Sequence, residues 1–234
     1  MNHPPIVSHD AWQAARDALM VREKAHTRAG DALAAERRRL PMVRVRNDYV
    51  LQGGDGPVPW LDVFEGRRQL VVYHFMFPPG QTSPCLGCTH VAENLPRLEH
   101  LHARDVSLAM VSRAPVEELH AYRRRMGWTV SWYSSGDSGF AEEVNLSPYG
   151  ADAFGLNVFL RVGDDVHRTY FTHGRGVESL GAVFSYMDLT PYGRQQEWED
   201  SPPGWPQTET YAGWPARFDE YTADELAGRA VPHV

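Results

Sequence analysis

Two cysteines, the only two in the 234 residues, stand at Cys85 and Cys88, with Leu86 and Gly87 between them. Thiols at this spacing exchange a disulfide with each other and with a visiting molecule. One sulfur attacks and forms a mixed disulfide, and the other attacks that bond and releases the partner. A free cysteine titrates near ~8.5, and in C-x-x-C settings the value falls to roughly 3.5 to 7.5. Cys85 reads as the activated thiol and Cys88, one turn deeper, as the resolving one. The run Leu70-Val-Val-Tyr-His-Phe-Met-Phe77 is continuous, β-branched and aromatic, as in a strand buried on both faces, and Pro78-Pro79-Gly80 ends it. From Thr89 to Ala103 the apolar positions Val91, Leu95, Leu98 and Leu101 recur at helical spacing. The pair therefore falls at a strand-to-helix turn, where unpaired N–H groups and the helix dipole stabilise a thiolate.

Other residues compete for a supporting role. His74 lies on the strand before the turn, a place from which an imidazole could accept a proton from Cys88, although a histidine there also reads as a core residue bonded to a carbonyl. Its neighbour Tyr73 points to the other face and reads as core. Pro78, Thr82 and Cys85 match the spacing of the peroxiredoxin motif, in which a threonine and backbone amides orient a peroxide; Arg113 and Arg161 are the arginines available to such a site. Soft thiolates with an imidazole also suit copper or zinc, but His90, His167 and His173 read as surface and strand residues, and two cysteines cannot build a four-cysteine zinc site. Neither a metal nor an organic cofactor is expected.

Composition is that of a globular chain, 42% apolar and 11% aromatic. No apolar run approaches the roughly 18 residues that cross a bilayer, and no secretory leader pattern opens the sequence. The expectation is a cytoplasmic protein without a membrane partner, in a compartment where a C-x-x-C pair reads as redox-active rather than structural. The net charge of −7 argues against a nucleic-acid partner, despite a basic first 46 residues that include Arg37, Arg38 and Arg39.

In chain order, Ser8 caps a helical stretch, one long helix or two, with Gly30 a weak point and Pro41 its stop. Met42 to Leu51 reads as a strand, Gly53 to Gly56 as a turn, and Pro57 to Phe64 as a short element. Val106 to Ser112 is a second buried strand. Pro115 to Met126 is a helix with acids in its first turn, arginines in its last and Gly127 closing it. Trp128 to Tyr133 is a short strand, and Phe154–Val162 with Val166–Thr172 forms a hairpin. Val177 to Met187 reads as a closing helix. This order predicts an α/β thioredoxin-like fold, a central mixed sheet flanked by helices, over residues 42–188. A helical arm spans 1–41. A Trp/Pro-rich tail, 189–234, with Trp198, Trp205, Tyr211, Trp214 and Phe218 among its prolines, is expected to wrap over the domain.

From Ser8 to Tyr221 the chain resembles the bacterial thioredoxin-like family called domain of unknown function 899, described as predicted dithiol-disulfide oxidoreductases. The resemblance rests on Leu33-Ala-Ala-Glu-Arg-Arg-Arg-Leu-Pro41, Val72-Tyr-His-Phe-Met-Phe77, the cysteine pair, Val111-Ser-Arg-Ala-Pro115, Arg124-Arg-Met-Gly-Trp128 and Tyr186-Met-Asp-Leu-Thr-Pro191. It implies thiol-disulfide exchange at Cys85 and Cys88 with a thiol or disulfide substrate, protein or small molecule, with His74, Thr82 and Arg113 as supporting candidates and a homo-oligomer left open. A peroxiredoxin-like peroxidase and a noncatalytic binding module are the alternatives. Thioredoxins carry a cis-proline just before the strand that faces the cysteines, where it binds extended peptides; here that strand begins Gly155-Leu156-Asn157 without one, which argues against general reduction of protein disulfides.

Overall fold

Side chains that alternate between two buried faces build the centre of the sheet. In the computed structural model, which describes residues 3–208 and 216–226, β4 (Gln69–His74) sends Leu70 and Val72 to one apolar cluster and Tyr73 to the other. Its parallel neighbour β5 (Val106–Ser112) does the same with Ala109 and Val111 against Leu108 and Met110. β-Branched and aromatic side chains on both faces suit a central strand covered on either side.

The remaining strands are β1 (Val43–Val45), β2 (Val50–Gly53), β3 (Gly56–Pro59), β6 (Ser131–Ser134), β7 (Gly155–Val162) and β8 (Asp165–Thr172). They form an eight-stranded sheet in the order β1-β8-β7-β4-β5-β6-β2-β3. β4, β5 and β6 run parallel, and β7 lies antiparallel to β4. The helices are α1 (His9–Arg37), α2 (Leu86–Glu93), α3 (Leu98–His102), α4 (Val116–Met126), α5 (Phe140–Val144), α6 (Ala182–Met187) and α7 (Ala223–Leu226). The succession β4-α2-α3-β5-α4-β6, then a β7–β8 hairpin and α6, is the thioredoxin-like α/β arrangement.

Two units divide the chain, Met1–Pro41 with Ser201–Trp205, and Met42–Asp200 with Pro206–Val234. In the first, α1 is a single helix of 29 residues running through Gly30, with the Ser8 hydroxyl accepting from the Ala11 amide at 3.3 Å. None of its residues is buried. No helix among the described residues is long and apolar enough to cross a membrane. Of the aromatic tail, Tyr211, Trp214 and Pro215 lie outside the described residues.

Three expected elements are broken, each for a local reason. The strand expected over Met42 to Leu51 is two strands near opposite ends of the sheet, β1 at one edge beside β8 and β2 between β3 and β6. The residues from Arg46 to Tyr49 separate them and are held outside the sheet: Arg46 bonds to Asp48 at 2.9 Å and to Glu143 of α5 at 2.7 Å, and Asn47 to the Asp164 carbonyl at 2.5 Å. The helix expected from Thr89 to Ala103 ends at Glu93 and restarts at Leu98, because Pro96 supplies no N–H and disfavours helix for the residue before it. The closing helix is a 3-10 segment, Gly174–Leu180, followed by α6. They meet at Gly181, where a side chain would come within 2.8 Å of the Phe184 ring.

Trp60 sits at the middle of the cluster on the face away from the cysteines, fully buried and edge-on to Phe64, Phe140 and Phe159 at 5.7, 4.8 and 5.3 Å. Replacing it with alanine leaves a cavity that its rigid neighbours fill only in part. Trp60→Ala is expected to lower the unfolding free energy by about 3–5 kcal/mol, seen as a drop in the urea midpoint at unchanged slope.

Candidate functional site

The segment between β4 and α2 places the two sulfurs at different depths. Beyond β4 the chain stays extended, tied to β5 by the Phe75 amide on the Val111 carbonyl at 2.9 Å and by the Ala114 amide on the Phe77 carbonyl at 2.9 Å. The Ser112 hydroxyl donates to the Phe75 carbonyl at 2.7 Å and accepts from the Trp132 indole at 3.0 Å. After Pro78-Pro79-Gly80 the loop returns to Met76, which receives the Cys85 amide on its carbonyl and gives its own amide to the Cys88 sulfur, both at 3.4 Å. Cys85 becomes the N-cap of α2.

At that cap the Cys85 sulfur accepts the Cys88 amide at 3.4 Å. Cys85 is half-buried and Cys88 is 2% exposed; both are free thiols. The pair is held in opposite protonation states. The Cys85 thiol is drawn down to about 6 by the hydrogen bond from the Cys88 thiol, against the cost of burial, with help from the Cys88 and Gly87 amides and the Arg217 charge. Burial first, and then the Cys85 thiolate it bonds to, push the Cys88 thiol well up. Desolvation penalises the charged form of the deeper sulfur, while amides at a helix start favour charge on the outer one.

Tyr73, not His74, faces the sulfurs. Burial first, then the charge of Cys88 and a hydrogen bond to it, push the Tyr73 hydroxyl well up, so that it stays protonated. His74 occupies the other face of β4, stacked on Phe140 at 6.0 Å and paired with the Asn157 amide at 2.9 Å. Burial, and to a lesser degree Arg168, pull it down to about 3, so the ring is neutral. Arg113 borders the same small cavity as His74, one whose lining includes neither cysteine, and pairs with Asp152 at 3.4 Å, Asp137 at 3.5 Å and Glu142 at 3.7 Å. Thr82 is exposed on the loop. Arg161, whose amide bonds the Arg68 carbonyl just before β4 at 2.8 Å, turns its guanidinium to Gly163 and Asp164.

Arg217 is the charge that reaches the site. Almost fully buried, it donates to the Pro84 carbonyl at 3.0 Å and the Ser83 hydroxyl at 2.7 Å. Its Nε donates to the Tyr122 hydroxyl at 2.6 Å, which pairs with Thr89 Oγ1 at 2.9 Å, and Thr89 donates to the Cys85 carbonyl at 3.0 Å. Each hydroxyl in this chain receives one hydrogen bond and gives the next. Glu220 balances the cation at 2.9 Å, and Arg125 holds Glu220 and Asp219 at 2.9 and 2.8 Å. Nothing local marks Arg217 beyond its being an arginine in an acidic, aromatic tail, and which of the alternating neighbours Tyr73 and His74 faces the helix depends on sheet register.

A cleft of about 520 Å³ opens in front of Cys85, with Tyr73, Met76, Val91, Phe154, Val177 and Phe184 in its walls. Phe154 lies immediately before β7, and the described residues hold no cis peptide bond. Nor do they hold a group of three side chains placed to bind a metal ion.

A family model described as bacterial protein of unknown function (DUF899) matches residues 1–221. No curated protein matches the chain. Among solved structures, peroxiredoxin Q of Xanthomonas campestris is 16% identical with a TM-score of 0.43, the match covering 63% of this chain and 96% of that one. A secreted Mycobacterium tuberculosis disulfide oxidoreductase homologous to E. coli DsbE is 12% identical at TM-score 0.36, over 58% and 96% of the two chains. Reduced Prx3 from Vibrio vulnificus, in complex with H2O2, is 17% identical at 0.39, over 56% and 85%.

The opposed burial of the sulfurs gives a titration with a fixed sign. Alkylation of the reduced protein by iodoacetamide, followed by mass spectrometry, should label Cys85 with a midpoint near pH 6 and leave Cys88 unlabelled well above neutrality. Arg217→Met removes a charge that favours the thiolate, so the Cys85 midpoint should move up.

Proposed function

This chain belongs to the bacterial family of unknown function DUF899, and we propose that it is a thiol-disulfide oxidoreductase in which Cys85 attacks and Cys88 resolves. One observation carries the reading: a half-exposed sulfur poised as thiolate at the floor of a cleft, with a buried, protonated sulfur bonded behind it. The Cys85 thiolate displaces one sulfur of a substrate disulfide, forming a mixed disulfide and releasing a thiolate. That leaving thiolate takes the proton of Cys88. Cys88 then attacks the Cys85 sulfur, the second substrate thiolate departs, and the protein is left with a Cys85–Cys88 disulfide. The two electrons have passed to the substrate, and an external dithiol restores the reduced state.

During the second step charge develops on a sulfur shielded from water. The Tyr73 hydroxyl and the Met76 amide are the donors that meet it. Tyr73 acts by donation, since its own proton is held tightly. His74 has no part in this step, being neutral and bonded on the opposite face. Thr82 and Arg113 are likewise outside it. The working core is residues 42–188, with the arm 1–41 outside the chemistry and the tail 189–234 contributing Arg217.

Four variants test the scheme with a small disulfide and a dithiol reductant. Cys85→Ser should abolish turnover, and Cys88→Ser should accumulate a mixed disulfide on Cys85. Tyr73→Phe should slow the second step roughly tenfold, the worth of a hydrogen bond to a charged group, while His74→Gln leaves that step unchanged. Cys85-dependent consumption of hydrogen peroxide that outpaces disulfide reduction would replace this reading with a peroxidase. No turnover of either kind, with a partner that copurifies whether or not the cysteines are present, would replace it with a binding module.

A further inference from the structure

The substrate class is written in the walls of the cleft. Its volume of about 520 Å³ falls in the range of roughly 300–1,000 Å³ typical of sites that enclose a small molecule. Rings and aliphatic chains line it on three sides: Tyr73 and Met76 from β4 and its extension, Val91 from α2, and Val177 and Phe184 from the segments that close the domain. Val177 packs in the same buried cluster as Cys88, so the apolar surface runs unbroken from the cleft wall to the sulfurs.

Charge is present at the cleft but already spent. Its lining includes one cation and one anion, Arg175 and Glu178, which pair with each other at 3.2 Å. The Arg175 guanidinium also lies over the Trp198 ring at 3.9 Å, and Glu178 takes a second arginine, Arg194, at 2.9 Å. A carboxylate carried into this space would lose water, face the Cys85 thiolate, and find the lining cation already paired.

An extended polypeptide has no edge to join. The strand that begins beside the site, β7, is paired on both sides, with β4 along one edge and β8 along the other. The residue before it, Phe154, contributes a phenyl ring to the cleft wall.

We infer that the oxidant taken up in front of Cys85 is a compact, uncharged and largely apolar disulfide, bound by the walls formed by Tyr73, Met76, Phe154, Val177 and Phe184, and not an extended protein strand. This rests on the dithiol reading above and narrows it. Chemically, the substrate R–S–S–R loses its S–S bond, each sulfur leaves as RS⁻ and is protonated, and the two electrons come from the Cys85–Cys88 pair. An external dithiol such as dithiothreitol reduces the Cys85–Cys88 disulfide and supplies them again.

Stopped-flow reduction by the full-length, pre-reduced protein tests it with three named oxidants: dithiodipyridine, which is neutral and aromatic; glutathione disulfide, which is charged; and insulin, a protein disulfide. Each second-order rate constant is divided by that of the same oxidant with dithiothreitol, which cancels intrinsic reactivity. Dithiodipyridine should be preferred over both others by about tenfold or more, the scale of burying part of one aromatic ring. Phe154→Ala should reduce that preference while the iodoacetamide reactivity of Cys85 stays as in the parent; if this variant does not fold, Phe154→Leu makes the same comparison. Cys85-dependent reduction without the preference, or with insulin favoured, overturns the substrate class and leaves the dithiol chemistry standing. Absence of Cys85-dependent reduction of all three overturns both.

Discussion

Unequal burial of two sulfurs is the constraint on which the rest of the site depends. A thiolate buried among Tyr73, Phe75, Val91 and Trp132 would lose its hydration, so Cys88 keeps its proton. That proton is then available to the outer sulfur. Cys85 takes the negative charge because it stands at the start of α2, where amides have no helical partner and one of them, that of Cys88, points at it. The asymmetry comes from surroundings, since both residues are the same amino acid within one turn of the same helix: burial for Cys88, and hydrogen bonds and positive charge for Cys85.

Depth in turn is fixed by the strand beneath. β4 and its extension to Phe77 are held to β5 by regular pairing and by the bonds around Ser112, and Met76 clasps both cysteines by carbonyl and amide. Trp132 serves twice, packing on Phe75 at 4.7 Å and anchoring Ser112 through its indole. A shift of one residue in β4 would exchange Tyr73 for His74 and present an imidazole to Cys88 in place of a phenol. The opposite face, with Trp60, Phe64, Phe140 and Phe159 packed edge to face, resists such a shift because every second side chain would have to leave a filled core.

The C-terminal segment closes the arrangement. Burying a guanidinium is costly unless its donors are met, and those of Arg217 are met by Tyr122, Ser83, Pro84 and Glu220. The same bonds tie the loop before Cys85 to α4. A segment distant in sequence thus braces the loop that leads to Cys85 and adds positive charge beside its sulfur. On the other side, Phe154, Val177 and Phe184 turn the space above the sulfurs into an apolar cleft.

By itself the sequence determined the local features. The cysteine spacing, the buried run before it, the helix closed by Gly127 and the β7–β8 hairpin each follow from neighbours in the chain, and together they specify the thioredoxin-like order. Breaks at Pro96 and Gly181 were visible as residue types, yet an apolar period that continues across them reads as one helix. The split between β1 and β2 is a matter of which edge each segment joins, and pairing partners leave no mark in a single strand's composition. Only the tertiary structure decided that Tyr73 and not His74 meets Cys88, because alternation assigns two neighbours to opposite faces without saying which face carries the helix. Only it brought Arg217 to Cys85 and set Phe154 in the cleft. Contacts between residues far apart in the chain depend on sheet register and packing, and those are properties of the folded whole.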